Sequence, residues 1–130
     1  MDLILSRDSA KQLERIINNE LLDKGVTHAF IVDSSGNLIL ERGSLPLEDL
    51  LPLAALSAAN FGASERMAQL IGESDFTLLF HKGTRQNIHF ARVSREFILV
   101  TLFSNDVPLG LVRLGSGKVT QQALPLLRCG

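Results

Sequence analysis

The run from Phe97 to Phe103 is apolar at nearly every position, and it constrains the fold more than any other part of the chain. A strand exposed to solvent on one side alternates apolar and polar residues, whereas a strand covered on both faces is apolar throughout. The run from Ala29 to Val32 has the same character. We therefore predict that these two segments are neighbouring strands at the centre of a sheet.

The first third of the chain predicts a helix followed by a β-hairpin. Ser9 is the predicted N-cap of a helix whose apolar residues recur at helical spacing, and Gly25 is its predicted end. The β-rich run from Thr27 to Val32 is followed by the turn residues 33–37, and the apolar pattern resumes from Leu38 to Leu40. These segments predict two strands joined by a short turn.

A second, longer helix has an unusual number of small residues in its middle. If it began at Pro46, Pro52 would lie in its second turn and break it, so we predict Asp49 as the N-cap. The helix is predicted to run to Ile71 and to end at Gly72. Because alanine, glycine and serine dominate its middle, other backbones can approach it closely.

Three further strands are separated by connections of hairpin length. They are predicted at Phe76–Phe80, Asn87–Val93 and Phe97–Phe103. The segment from Asp75 to His81 mixes polar and apolar residues, which favours a position at an edge of the sheet. An uncovered edge of this kind invites a partner strand.

The last predicted helix follows residues 104–106, which can cap a helix, and Pro108, which suits a first turn. Leu109, Val112 and Leu114 could be buried from it. The glycine-rich residues 115–117 are expected to interrupt this helix as a flexible joint. Pro125 is expected to end it.

The order of these elements predicts an α+β fold, with helices packed on a five-stranded mixed sheet. A chain of 130 residues is long enough for one hydrophobic core and too short for two. We therefore expect a single domain of residues 1–130.

Charge and cysteine content exclude several classes of partner and compartment. A formal net charge of -1 leaves no broad positive field, so no nucleic acid is expected as a partner. The single cysteine, Cys129, cannot form an intrachain disulfide, which favours a reducing cytosol. Residues 1–9 lack the pattern of a signal peptide, and no apolar run reaches membrane-spanning length. We expect a cytoplasmic protein without membrane insertion.

A search for catalytic or metal-binding patterns finds none. The three histidines, His28, His81 and His89, stand at no recognised metal spacing. Residues 115–118 lack the glycine and the final Ser/Thr of a phosphate-binding loop. Cys129 has no neighbour that would activate it as a nucleophile. We therefore expect no cofactor, no metal and no enzymatic activity of the chain's own.

Three segments between Ala54 and Val119 resemble a known family. ALSAANFGASERMAQLIGESDF, LLFHKG and PLGLVRL are similar to the corresponding stretch of the MglB-type branch of the Roadblock/dynein light chain family. The most specific part is Leu70–Glu73 together with Phe80–Gly83. The family's order, helix-β-β-helix-β-β-β-helix, matches the order predicted above, so the resemblance covers nearly the whole chain. It implies a Roadblock (profilin-like) fold.

The resemblance further implies a homodimer in which the second helices pair and the edge strands join two sheets. One face of that dimer would receive a small Ras-like GTPase, of the kind that controls bacterial cell polarity and gliding, and promote its GTP hydrolysis. The partner-binding residues carried over are Ser57, Asn60, Phe61, Ser64 and Glu65. Those carried over for the dimer interface are Ala59, Ala63, Met67, Thr77, Leu79 and His81.

Several positions in this region also have a simpler interpretation. Phe61 would anchor a partner if exposed, and would be core if buried. Plain core or dimer packing is expected for Ala54, Leu56, Ala58, Ala59, Met67 and Leu70. A GTPase regulator can supply an arginine in trans, but solvated surface side chains are expected for all the candidate donors, which are Arg66, Arg85, Arg92, Arg95 and Arg113.

Two other functions stay open at this point. The family includes assembly scaffolds that do not affect nucleotide turnover, and the expected interruption at residues 115–117 departs from the family's continuous basic last helix. A small-molecule sensory domain is the other alternative, because a fold alone does not determine function. Its signature would be a roomy, polar-lined cavity at the face of the sheet.

Overall fold

The computed structural model describes residues 5–74, 76 and 79–127. Its elements are α1 (Arg7–Glu20), β1 (His28–Asp33), β2 (Leu38–Gly43), α2 (Leu47–Leu70), β3 (Leu79–Lys82), β4 (Gln86–Arg92), β5 (Phe97–Ser104) and α3 (Leu109–Ala123). Short 3-10 turns follow α1 at Leu22–Lys24 and α3 at Leu124–Leu127. The order of helices and strands confirms the prediction.

The five strands lie in the order β2-β1-β5-β4-β3. The two apolar strands β1 and β5 pair at the centre, with Ile31 opposite Leu99, as their composition predicts. Every strand pair among the described residues is antiparallel, so the prediction of a mixed sheet is wrong. The reason is that β2 and β3, which the long α2 connects in the same direction, lie at opposite edges and never pair.

The sheet is covered on both faces, and the alternation of side chains along the strands creates two cores. On one face, Ile31, Leu99 and Phe103 pack against α1 and α3. On the other face, Phe30 and Val100 pack against α2. The strand β3 forms the edge predicted for it, and its described residues are Leu79–Lys82. Residues 77 and 78 of the predicted strand, and residue 75 of the predicted edge segment, lie outside the described residues.

The first helix begins earlier than predicted. Ser6 is its N-cap, and the Ser6 hydroxyl oxygen accepts a hydrogen bond of 3.1 Å from the backbone N–H of Ser9. Ser9 therefore lies inside the first turn instead of capping it. Gly25 ends the 3-10 turn that follows α1, with a φ of 100°, and this agrees with its predicted role as a stop.

The start of α2 also differs from the prediction, because Pro46 is the N-cap and Pro52 lies inside the helix. The Pro46 carbonyl accepts hydrogen bonds of 3.0 Å from both Asp49 and Leu50. Pro52 removes one helical hydrogen bond, but Leu50 in the same part of the helix is almost completely buried against the sheet. Burial of a leucine side chain contributes about 1.5–3 kcal/mol, which offsets that loss. Gly72, with a φ of 84°, ends the helix as predicted.

The last helix runs without a break through residues 115–117, so the predicted interruption is wrong. Pro108 is its N-cap, and residues 104–106 do not cap it. Asn105 instead accepts hydrogen bonds from Lys82 (3.1 Å) and from Asn87 (3.0 Å), which tie β3 and β4 to the loop before α3. None of the described helices is long and apolar enough to cross a membrane.

Candidate interaction surface

The long helix α2 turns an apolar face away from the sheet. This outer α2 face consists of Ala55, Leu56, Ala59, Ala63, Met67 and Leu70, all of which are exposed. The exposed fractions of its large side chains are 66% for Leu56, 54% for Met67 and 68% for Leu70. A helix that is apolar on both sides needs cover on both sides. The outer α2 face is therefore a candidate for contact with another chain.

A groove runs between α2 and the strands β3 and β4. This α2 groove has a volume of about 250 Å³. Its lining residues are Leu53, Leu56, Ser57, Asn60, His81, Ile88 and Phe90. The side-chain nitrogens of Asn60 and His81 lie 3.4 Å apart across it, and the His81 ring meets Phe90 edge to face at 5.3 Å. The groove thus has an apolar floor and a polar rim.

Arg92 links the end of β4 to α2. Its guanidinium pairs with the Glu65 carboxylate, and its Cζ atom lies 4.7 Å from the centre of the Phe61 ring. Arg92 also donates a hydrogen bond of 3.3 Å to the carbonyl of Ser94. Sequence reasoning missed this arrangement, because Glu65 and Arg92 are 27 positions apart and no local pattern relates them.

The predicted partner-binding residues divide between two faces of α2. Ser57, Phe61 and Ser64 are 3%, 5% and 8% exposed. They point toward the sheet and have little exposed surface for direct contact, and Phe61 takes the alternative role of a core residue. Asn60 and Glu65 are half-buried on the flank of the helix. These two remain predictions for partner binding.

The described residues among those predicted for the dimer interface lie on the α2 side of the sheet. Ala59, Ala63 and Met67 belong to the outer α2 face. Leu79 and His81 are opposite Phe90 and Ile88 in the register of β3 and β4, which places both on the face that α2 covers. Thr77 lies outside the described residues. Six α2 residues were expected to be plain core or dimer packing. Ala54 and Ala58 are core, and the other four, Leu56, Ala59, Met67 and Leu70, face outward.

The histidines His28 and His89 are buried, and burial lowers the pKa of both. His28 is fully buried, and its Nδ1 atom accepts a hydrogen bond of 2.9 Å from the backbone N–H of Leu45. The ring proton is therefore on Nε2, which lies 2.6 Å from the Glu41 carboxylate. Burial lowers the pKa of His28, and the nearby Glu41 opposes that effect. Burial, assisted by the positive charge of Arg113, lowers the pKa of His89 to about 4. Within the described ranges, no cluster of three or more His, Cys, Asp or Glu residues could hold a metal.

Comparison with known proteins shows which family and which solved structures this chain resembles. The Roadblock/LC7 domain model matches residues 13–103. MglB from Myxococcus xanthus is 31% identical, with a TM-score of 0.82, over 88% of this chain and 94% of that one. An MglB with a tetrameric arrangement is 24% identical, with a TM-score of 0.87, over 97% of this chain and 95% of that one. Among curated proteins, no sequence matches the chain.

A similar fold also occurs in proteins with lower sequence identity to this chain. Profilin IA from Acanthamoeba castellanii has a TM-score of 0.60 at 16% identity, over 87% of this chain and 96% of that one, which confirms the profilin-like architecture. The Roadblock/LC7 match covers more than half of the chain, and the similarity to MglB extends over nearly all of it. The chain therefore belongs to the Roadblock/LC7 domain family, as an MglB-like member.

Proposed function

We propose that residues 1–130 act as one domain of a homodimeric regulator, which binds a small Ras-like GTPase and stimulates its GTP hydrolysis. The observation that carries this proposal is the exposed outer α2 face in a chain similar to MglB. Dimerisation and GTPase binding are assigned to two neighbouring surfaces. The outer α2 face and the edge strand β3 serve the dimer, and Asn60 and Glu65 on the flank of α2 serve the GTPase.

The shape of the outer α2 face supports pairing with a second copy. Ala59 and Ala63 form a shallow strip along the helix, and Leu56, Met67 and Leu70 stand beside it. Helices with small residues at their contact can approach to about 8 Å, and the larger side chains of each copy then pack beside the strip of the other. One face can serve both copies, because a two-fold axis brings the same patch together twice.

The edge of the sheet supports the same arrangement. The strand β3 pairs with β4 on one side, and no strand among the described residues pairs with its other side. The free backbone groups of an edge strand are a template for another strand. A two-fold axis beside β3 would bring two copies of Leu79–Lys82 together while the α2 helices meet above them.

The α2 groove supports contact with a partner of another kind. Its rim carries Asn60 and His81, and Glu65 lies one turn further along α2, where it is held by Arg92. Reversible interfaces combine an apolar centre with a polar rim, as this groove does. The half-buried Asn60 and Glu65 are the contacts we assign to the GTPase.

The arginines near this surface suggest how hydrolysis would be stimulated. Arg92 is engaged by Glu65 and Phe61, and Arg66 donates a hydrogen bond of 3.3 Å to Gln69. An arginine that acts in trans must reach the phosphates of the partner. We therefore propose that stimulation comes from reshaping the active site of the GTPase itself, without an arginine from this chain.

The test uses Ras-like GTPases from the same organism, loaded with GDP or a slowly hydrolysed GTP analogue. We expect binding to depend on the nucleotide, and excess protein to raise the single-turnover hydrolysis rate about tenfold or more. Asn60→Lys should abolish binding while the protein stays dimeric. Gln121→Lys, which adds the same charge at an exposed position of α3, is the matched control.

The alternatives give different results in this experiment. Binding that ignores the nucleotide and leaves the hydrolysis rate unchanged would replace the activator role with that of an assembly scaffold. If none of the organism's Ras-like GTPases binds in either nucleotide state, the proposal is wrong. Loss of binding in both variants would show that the contact is not at the α2 groove.

A further inference from the structure

A second cavity lies where β4 passes between α2 and α3. Its volume is about 280 Å³, and one part of its wall is apolar, formed by Phe61, Leu79 and Phe90. The other part is polar, formed by His89 of β4 together with Arg113 and Ser116 of α3. This volume is near the lower end of the range for small-molecule sites. We call it the α3 cavity.

Polar atoms that line the α3 cavity are buried without partners. The side chains of Ser116 and His89 are 1% and 5% exposed, and within the described part of the chain neither Ser116 Oγ nor His89 Nδ1 has a hydrogen-bond partner. Each unsatisfied buried group costs about 1–3 kcal/mol, so native proteins rarely leave several together. A molecule bound in the cavity would supply the missing hydrogen bonds.

The charges around the α3 cavity favour a ligand with a single negative charge. Arg92 also lines the cavity, but its charge is offset by Glu65. Arg113 is exposed, and no carboxylate among the described residues pairs with it. His89 is neutral at pH 7 because burial lowers its pKa to about 4. Among the described residues, one guanidinium without a carboxylate partner therefore faces the cavity, which suits a monoanion better than a dianion such as a phosphate ester.

We propose that the α3 cavity binds a small organic carboxylate. Its carboxylate group lies between the Arg113 guanidinium and the Ser116 hydroxyl, both of which donate hydrogen bonds to it. His89 supplies a further polar contact, and the apolar body of the ligand lies against Phe61 and Phe90. The carboxylate-binding residues Arg113 and Ser116 lie on α3, whereas the contacts assigned to the GTPase lie on α2, so the proposal does not depend on GTPase binding.

The experiment titrates the full-length ¹⁵N-labelled protein with acetate, butyrate and benzoate, and in parallel with the corresponding amides and with inorganic phosphate. The backbone amide signals of Ala91 and Gly117, which line the cavity, report binding. We expect saturable shifts with at least one carboxylate and none with its amide. Ser116→Ala and Arg113→Gln should each weaken that binding about tenfold, which corresponds to one charge-assisted hydrogen bond.

Controls distinguish a binding site from a packing defect. Arg85→Gln removes an exposed arginine remote from the cavity lining and should leave binding unchanged. Ser116→Ala should fold normally, because it removes a hydroxyl that has no partner and adds a stronger helix former. The proposal is overturned if no carboxylate gives a saturable shift, if the amides or phosphate bind as well as the carboxylates, or if both cavity variants bind like the unmodified protein.

Discussion

Gly115 of α3 packs directly on the carbonyl oxygen of Glu20 at the end of α1. A Cβ atom at position 115 would overlap that oxygen and would also crowd Leu21. Gly117, two residues further along the same helix, has open space where its Cβ would be. The glycine-rich segment is therefore a helix contact at Gly115, and the helix remains continuous through it.

This contact predicts opposite effects for two similar substitutions. Gly115→Ala should lower the free energy of unfolding by about 1–3 kcal/mol, because the methyl group forces α1 and α3 apart. Gly117→Ala should raise it by about 0.5–1 kcal/mol, because alanine restricts the unfolded chain and favours the helix. Urea denaturation followed by circular dichroism measures both. Equal effects of the two substitutions would contradict the close contact at Gly115.

The proposed pairing of α2 helices predicts that a charge in the outer α2 face prevents dimerisation. Ala59→Glu places a carboxylate at the centre of the strip, where two copies would meet across the two-fold axis and lose their hydration. Light scattering at micromolar concentration should give twice the chain mass of 14.2 kDa for the unmodified protein and 14.2 kDa for the variant.

Gln121→Glu is the matched control for that substitution, since it adds the same charge at an exposed position of α3 on the opposite face of the sheet. It should remain dimeric. An unmodified protein that is monomeric at these concentrations would remove the helix-pairing proposal. A dimer that tolerates Ala59→Glu would move the interface elsewhere.

The link between Arg92 and α2 predicts a measurable coupling energy. Arg92→Ala should lower the free energy of unfolding by about 1–2 kcal/mol, because it removes a partly exposed ion pair and a cation–π contact. In a double-mutant cycle with Glu65→Gln, the coupling energy should be about 0.5–1 kcal/mol and should decrease in 0.5 M salt. Additive effects of the two substitutions would mean that the ion pair does not contribute in solution.

Burial of His89 predicts that acidification destabilises the fold. Its pKa is about 4 in the folded protein and about 6.5 when unfolded, so the unfolded chain binds more protons as the pH falls between these values. The contribution of neutral, buried His89 to the free energy of unfolding is therefore fully present above pH 6.5. It is lost progressively toward pH 4, and the free energy of unfolding falls by about 2 kcal/mol by pH 5. Urea midpoints measured from pH 7.5 to 5 test this.

The variant His89→Gln should show a smaller dependence on pH over the same range. Some dependence should remain, because burial also lowers the pKa of His28, which contributes with the same sign. If His89→Gln and the unmodified protein lose stability in parallel, the His89 ring takes up its proton equally in both states. That result would place the ring in contact with water in the folded protein.

The two apolar strands and the turn glycines are features that local sequence patterns predict correctly. Composition alone predicts that β1 and β5 are central neighbours, because only a strand covered on both sides can be apolar throughout. Gly25 and Gly72 end their helical segments for a local reason as well, since each has the positive φ that glycine adopts readily. These features depend on residues close together in the chain.

The sites depend on residues far apart, and the sequence was a poorer guide to them. Helix α2 is apolar on both sides, so periodicity could not show that Phe61 and Ser64 face the sheet while Met67 faces outward. The start of α2 after Pro46 and the close contact of Gly115 with Glu20, which α3 makes as a continuous helix, likewise did not follow from local propensity.

The sequence by itself therefore determined the order of elements, the central strand pair and the family, because these follow from local patterns and a motif spread along the chain. Only the tertiary structure decided which side of α2 is exposed, how Arg92 is held by Glu65, and where His89 Nδ1 and Ser116 Oγ are buried without a partner among the described residues. The physical reason is that side chains are buried and paired by contacts between helices and strands. Local propensity does not distinguish the possible packing arrangements, so only the packed structure decides between them.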